Sequence, residues 1–418
     1  MSSFSSSRRN KKGAAAVAIL AAAALVLSGC AAETSNDGRD AAGNLNLPIG
    51  TALPQTGNLA YLGPPEEAGV GLAVEEINAA DKGIQITVEY GDSGDTDNKA
   101  YETTIPRLLN AGVKAIIGAA SSGTSLQFID QVVGAGVIQF SPANTSAALT
   151  TYDDKGLYFR TAPSDVLQGE VLGNLIAEDG NQTLGMIVIN DSYGTGLAGF
   201  VKEAFEAAGG TVVAEPLYNT GDTNFSSQIS EVLAQSPDAI LVVAFDEIMT
   251  IIPALLSEFP SDKLYLTDGN LTQFGDAFEP GTMTGAQGTT PGLNPATIDA
   301  FLTRMKDFWL AAGNSALEDV TYGAESYDAI ILLALAALAA DSTDSRAIAD
   351  KLQEVSGGSG NGTKCTSFAE CADIINDGGV ADYDGVSGPI TFNEFGDPTE
   401  ATIGIYVYGE DNTHTPRD

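Results

Sequence analysis

The sequence predicts a mixed α/β chain folded as two similar lobes. Each lobe is a parallel-type sheet flanked by helices, and the chain crosses the hinge between them more than once. Three observations predict this. From residue 47 onward, apolar strand-like runs alternate with helical patterns, the signature of a parallel sheet covered by helices. A second series of the same kind begins near residue 184, after a stretch at 158–163 that reads as the first crossing between lobes. Helices then dominate until two late apolar runs, 390–392 and 403–408, which read as strands returning to complete an earlier sheet.

Taken in order, residues 48–53 are the candidate first strand. Residues 66–79 form a helix whose apolar face is Ala68, Val70, Leu72, Ala73 and Ile77. Residues 84–90 alternate as a strand, and 98–111 read as a helix kinked at Pro106. Residues 115–118 are a buried strand, followed by a helix at 126–133 and a strand at 137–140. In the second series, 184–189, 211–214, 239–245 and 264–266 are strands, and 196–208, 225–234 and 248–258 are helices. Two long helices follow at 295–312 and 324–340. The Leu- and Ala-rich stretch 329–340 is too short to span a bilayer and reads as a buried helix.

The N-terminus has a different grammar. Arg8, Arg9, Lys11 and Lys12 form a basic region, and residues 13–27 are an uncharged apolar run. Small residues then lead to a cysteine in Leu27-Ser28-Gly29-Cys30. These parts match a secretory signal, and the run is shorter than the ~20 residues a spanning helix needs. The ending resembles the lipobox of bacterial lipoproteins. That likeness implies diacylation of Cys30 as the mature N-terminus, anchored to the outer face of the cytoplasmic membrane. Residues 1–29 are then the export signal and 30–46 a flexible tether, with a reach of roughly 20–25 Å. The expected lobes are 47–162 with about 288–380, and 163–287 with about 385–410.

Composition narrows the partners. Beyond residue 29 the chain keeps 15 Lys and Arg against 55 Asp and Glu, a formal charge of −40. Such a surface repels phosphate backbones, so no nucleic-acid partner is expected. It also repels an anionic membrane face, which leaves anchoring to the lipid. Self-repulsion favours a soluble monomer. A zwitterionic or neutral ligand is preferred to an anionic one. Cys365 and Cys371 lie six residues apart, which in an exported protein reads as a small-loop disulfide. A redox or metal pair lacks partners, because the single histidine, His414, sits in the C-terminal tail. No cofactor, no metal and no nucleophilic Ser-His or Cys-His mechanism is expected.

Open α/β sheets bind ligands outside the C-terminal ends of their strands. The turn Gly118-Ala119-Ala120-Ser121-Ser122-Gly123-Thr124 runs into a helix, and Ser141-Pro142-Ala143-Asn144-Thr145-Ser146 follows the next strand. Their hydroxyls and backbone N–H groups suit a carboxylate, although plain helix capping uses the same residues. Asp268, past the strand 264–266, reads either as an ammonium receptor or as a solvated turn residue. Tyr193 reads as a pocket wall or as core.

In order and spacing, these segments resemble the leucine/isoleucine/valine-binding family of type I periplasmic binding proteins, the receptors of amino-acid ABC importers. The likeness covers most of residues 47–410 and is carried by Ala60-Tyr61-Leu62-Gly63, Ile117 to Thr124, Ser141 to Thr145, Asp191-Ser192-Tyr193-Gly194-Thr195-Gly196 and Thr267-Asp268-Gly269. It implies that Ser122, Thr145 and the Ala143 backbone N–H hold a ligand's α-carboxylate. It implies that Asp268 receives the α-ammonium and that Tyr193 and Tyr61 wall the pocket. Phe245 stands where members often carry tyrosine, and Asp268 is one methylene shorter than the family's usual glutamate. The implied function is a lipid-anchored receptor that closes on an amino acid, branched-chain in type, and delivers it to ABC permease subunits. An amide or urea-like ligand, or a sensory receptor coupled to a signalling partner, are the alternatives.

Overall fold

The computed structural model describes residues 39–417. The expected export signal, Cys30 and tether residues 31–38 lie outside the described residues. From Arg39 the chain makes a turn in which Asp40 Oδ1 accepts from the N–H groups of Ala42 (2.8 Å) and Asn44 (2.9 Å). The first strand therefore begins at Leu45, two residues before the expected start of the first lobe at residue 47.

The first series runs β1 (Leu45–Ala52), α1 (Gly63–Ala80), β2 (Ile84–Glu89), α2 (Tyr101–Ala111), β3 (Ala115–Gly118), α3 (Ser122–Gly134), β4 (Ile138–Ser141) and β5 (Tyr158–Arg160). After α4 (Asp165–Glu178) the second runs β6 (Thr183–Ile189), α5 (Gly194–Ala207), β7 (Thr211–Ala214), β8 (Leu217–Tyr218), α6 (Ser226–Ala234), β9 (Ala239–Val243), α7 (Ile248–Leu255), β10 (Leu264–Leu266) and β11 (Gln287–Pro291). The remainder is α8 (Asp299–Ala311), α9 (Gly323–Ala340), α10 (Ser345–Val355), β12 (Thr363–Cys365), α11 (Phe368–Asn376), β13 (Ala381–Gly385), β14 (Gly388–Pro389), β15 (Ile403–Tyr408) and β16 (His414–Pro416).

Local chemistry sets many of these boundaries. Pro64 and Pro65 occupy the first positions of α1, where a missing N–H costs nothing. Ser121 caps α3, Ser164 caps α4 and Asp344 caps α10, each accepting from a backbone N–H of the first turn. Strand β9 is Ala-Ile-Leu-Val-Val, buried throughout, as a central parallel strand must be.

The first sheet has the order β2-β1-β3-β4-β5, with every neighbour parallel. The second contains β7-β6-β9-β10-β11, which is the same order repeated. The chain then returns as β15 and β16, both antiparallel, to extend the second sheet beyond β11. Each sheet thus has a crevice where its strand order reverses, at the carboxyl ends of its strands. Helix α9 is the core of the first unit: every residue from Gly323 to Ala337 is buried, as the Leu/Ala pattern predicted. It lies so close to α1 that a Cβ on Gly69 would sit 2.1 Å from the Gly323 carbonyl oxygen.

The structure departs from expectation in several elements. Tyr158–Arg160 is an edge strand, not only a crossing. Helix α4 follows it where the sequence reading assigned nothing; Gly169 and Gly173 lower its helical propensity but let α5 pack closely. The expected helix 295–312 breaks into one 3₁₀ turn, Pro295–Thr297, and then α8. Residues 390–392 form no strand: Phe392 makes a single bridge to Pro398, while Ile390 and Phe392 bury their side chains in the first core. The expected strand 403–408 is β15, and Cys365 and Cys371 are joined as a disulfide with Cα atoms 5.4 Å apart.

Candidate functional site

Two turns of the first sheet build one side of the site. Past β3, Ser121 Oγ accepts from the Thr124 N–H at 3.2 Å, so this serine is a cap. Its neighbour does something else. Ser122 Oγ accepts from the backbone N–H groups of Thr145 (3.3 Å) and Ser146 (3.2 Å), tying the β3 turn to the β4 turn. A hydroxyl that accepts twice still has one proton to give. Ser141 Oγ donates to Ala119 O (2.7 Å) and accepts from Ala143 N–H (3.2 Å), so the Ala143 donor is engaged within the turn. Asn144 Nδ2 donates to the carbonyls of Ala119 (3.0 Å) and Ala120 (2.7 Å).

Beneath these turns lies a buried ion pair. Arg160 Nε and Nη2 donate to the two oxygens of Asp397 at 2.6 and 2.9 Å. Arg160 Nη1 also donates to Ser146 O at 2.9 Å. The fork thereby fixes the backbone that carries Thr145.

The second sheet supplies the other side. Past β10, Asn270 Oδ1 accepts from the Thr267 N–H (2.8 Å), which folds the turn that presents Asp268. That carboxylate is 6% exposed. Oδ1 accepts from the Tyr193 hydroxyl (2.7 Å) and Gln168 Nε2 (3.1 Å), and Oδ2 accepts from the Tyr322 hydroxyl (2.7 Å). Burial raises the Asp268 pKa, and donors from Tyr322, Tyr193, Gln168 and Gly269 pull it back. Phe245 stacks on Tyr193 with ring centroids 5.4 Å apart.

Ser122, Ala143, Thr145, Tyr193, Phe245 and Asp268 line one cavity of about 20 Å³, with Leu59, Leu62 and Tyr322 completing its apolar and aromatic walls. Such a space holds about one water, so a ligand must part the walls. Tyr61 stands apart: it lines the adjoining, larger cavity, and its hydroxyl donates to Gly269 O at 3.1 Å. The two sheets meet around the cavity. Ser146 Oγ donates to Ser192 O (2.9 Å), and a Cβ on Gly123 would come within 2.8 Å of Asp191 Oδ2.

Residues 46–378 match the family model described as periplasmic binding protein. The chain belongs to that family. Its fold is the type I periplasmic binding protein fold, shared with LivK of Thermotoga maritima, a leucine-binding protein (TM-score 0.71, 22% identity, covering 89% of this chain and 98% of that one). LivJ of Streptococcus pneumoniae, solved with isoleucine, is equally similar (TM-score 0.70, 23% identity, 89% and 99% covered). Among curated relatives, the leucine-, isoleucine-, valine-, threonine- and alanine-binding protein of Pseudomonas aeruginosa is 33% identical over 189 residues. That match covers 44% of this chain and 50% of the relative, so the chain spans about half the length of that relative. The chemotactic signal transduction substrate-binding protein BasB of Halobacterium salinarum is 25% identical over 357 residues, with 82% of each chain covered.

In this periplasmic binding protein, sequence reasoning missed Tyr322 and Gln168. Tyr322 has φ +60°, a conformation a tyrosine rarely adopts, and it turns the chain into α9 just before Gly323. That Tyr-Gly step at the head of an apolar helix marks an unusual backbone turn but does not reveal the contact with Asp268. Gln168 sits on α4, the helix left unassigned, and also donates to Thr289 O at 3.1 Å.

Proposed function

We propose that this chain is the extracytoplasmic solute-binding lipoprotein of an ABC importer, a receptor and not an enzyme. It binds an amino acid in the cleft between a lobe built on the first sheet and a lobe built on the second. Branched-chain amino acids are the first ligands to test. The observation that carries the reading is the cavity in which the Ser122 hydroxyl and the Thr145 turn of one sheet face the Asp268 carboxylate of the other. A zwitterion needs donors at one end and an acceptor at the other, in a site where unpaired charge is costly. Ser122 and Thr145, with the Ala143 N–H on release from Ser141, receive the α-carboxylate. Asp268, aligned by Tyr193, Tyr322 and Gln168, receives the α-ammonium. Phe245 and Tyr61 wall the side chain.

Closing two lobes on a ligand supplies the dry cleft. The names of the Pseudomonas and Streptococcus relatives support an amino acid. Lipidation of Cys30 and the tether hold a monomeric receptor near its permease subunits. A sensory role is the second reading, favoured by the similarity to BasB along most of both chains. Copurification with permease subunits, against copurification with a signalling partner, separates the two.

A thermal-shift screen over amino acids and uncharged amides tests the ligand class. A ligand at about 100 times its dissociation constant adds ~2.7 kcal/mol of stability. Branched-chain amino acids are expected to raise the melting temperature. A shift by an amide with none from any zwitterion would overturn the role given to Asp268.

A further inference from the structure

Beyond Tyr61 and Phe245 the cleft widens into a second cavity of about 620 Å³. Phe245 lines both spaces. Tyr61 lines the outer cavity, and its hydroxyl donates at 3.1 Å to the carbonyl of Gly269, which lines the inner one beside Asp268. The outer cavity has apolar walls at Trp309 and Met249, and Asp246, Glu318 and Asp319 contribute carboxylates. Among the described residues no Lys, Arg or His lines it. Among the described residues no ion pair engages any of the three carboxylates. Burial first, and then Glu247 and Asp95, push the Asp246 carboxyl up to about 6, so its surroundings are acidic.

We propose that this outer cavity is a side-chain subsite, through which the cleft accepts amino acids with long, unbranched side chains ending in a cation, arginine being the type, as well as short apolar ones. The inference rests on the inner cavity being the amino-acid site. With the α-ammonium at Asp268, a side chain leaving past Tyr61 and Phe245 enters the outer cavity. Its methylenes lie along Trp309 and Met249. Its charged end meets uncompensated carboxylates and aromatic faces, both of which attract a cation. A leucine side chain is too short to need that space.

Calorimetry on the full chain with arginine, citrulline and leucine tests this. Citrulline has arginine's length and a neutral end. Arginine is expected to bind about tenfold more tightly than citrulline, and the triple variant Asp246→Asn, Glu318→Gln, Asp319→Asn to lose about tenfold for arginine. Leucine binding should stay within about twofold in that variant, which also reports that its fold is intact. Equal affinities for arginine and citrulline, or an unchanged arginine affinity in the variant, would overturn the subsite while leaving the inner site standing. No binding of arginine beside good binding of leucine would do the same. If leucine also fails to bind, or Asp268→Asn leaves leucine binding unchanged, the inner-site reading falls and the subsite with it.

Discussion

At the scale of residues, adjacent serines have different jobs. Ser121 caps α3, whereas Ser122 joins two turns and keeps a proton to donate. Ser121→Ala should cost about 1 kcal/mol of stability, as for loss of a cap; Ser121 also lines the cavity, but its hydroxyl is engaged at the cap, so its affinity loss should be the smaller of the two. Ser122→Ala strands two buried N–H groups and should cost about 1–3 kcal/mol of stability, together with a loss of affinity. Paired melting curves and titrations distinguish them; equal affinity loss in both would contradict the assignment. The site was partly legible because strand ends are where α/β sheets place ligands, and Ser122, Thr145 and Asp268 each follow an apolar run. Tyr322 and Gln168 were not legible. Their importance comes from a contact with Asp268, 54 and 100 positions away in sequence, and no local pattern encodes such a meeting.

At the scale of elements, the buried Arg160–Asp397 pair links β5 to the segment before β15 and holds the Thr145 turn. Asp397→Ala leaves a buried guanidinium without a counter-charge and should cost about 3–5 kcal/mol, seen as a large fall in the urea midpoint. The Cys365–Cys371 loop is short, so its reduction should cost only about 2 kcal/mol and lower the melting temperature by a few degrees, with ligand binding retained. A loss of binding on reduction would place that loop closer to the cleft than the structure does. Strands β3 and β10 were legible to the residue, because buried apolar runs bounded by Gly or Thr have few alternatives, and the partly exposed β7 was marked by the two glycines before it. Helix α4 was not assigned, since its glycines blur the 3.6-residue period; α10 and α11 were also unassigned although their buried faces, Ile348, Ala349, Leu352 and Val355 in one and Phe368, Cys371 and Ala372 in the other, keep that period. The run 390–392 misled because burial in a core looks, in sequence, like burial in a sheet.

At the scale of the molecule, the charge is strongly negative and several carboxyls are buried. Burial pushes Glu325 up to about 8 and Asp191 and Asp328 up to about 6. Their ordinary values are 4.5 for Glu and 3.8 for Asp. Between those values and the raised ones, the folded chain holds protons that the unfolded chain has released. Stability should therefore fall as pH rises from about 4.5 through about 8, at roughly 1.4 kcal/mol per pH unit for each group in its window. Melting temperatures should be higher at pH 5 than at pH 8, and Glu325→Gln should flatten the upper part of that slope; a rise toward pH 8 would contradict it. The repeated strand order 2-1-3-4-5 in both sheets brings two switch-point crevices face to face. Donors from one and the Asp268 carboxylate from the other then converge on a single cavity. The most direct test of that convergence is calorimetric titration of leucine into the full chain and into Asp268→Ala. Saturable binding at one site, weakened by about 2–5 kcal/mol in the variant, is the predicted result. The same dissociation constant in both would contradict the account.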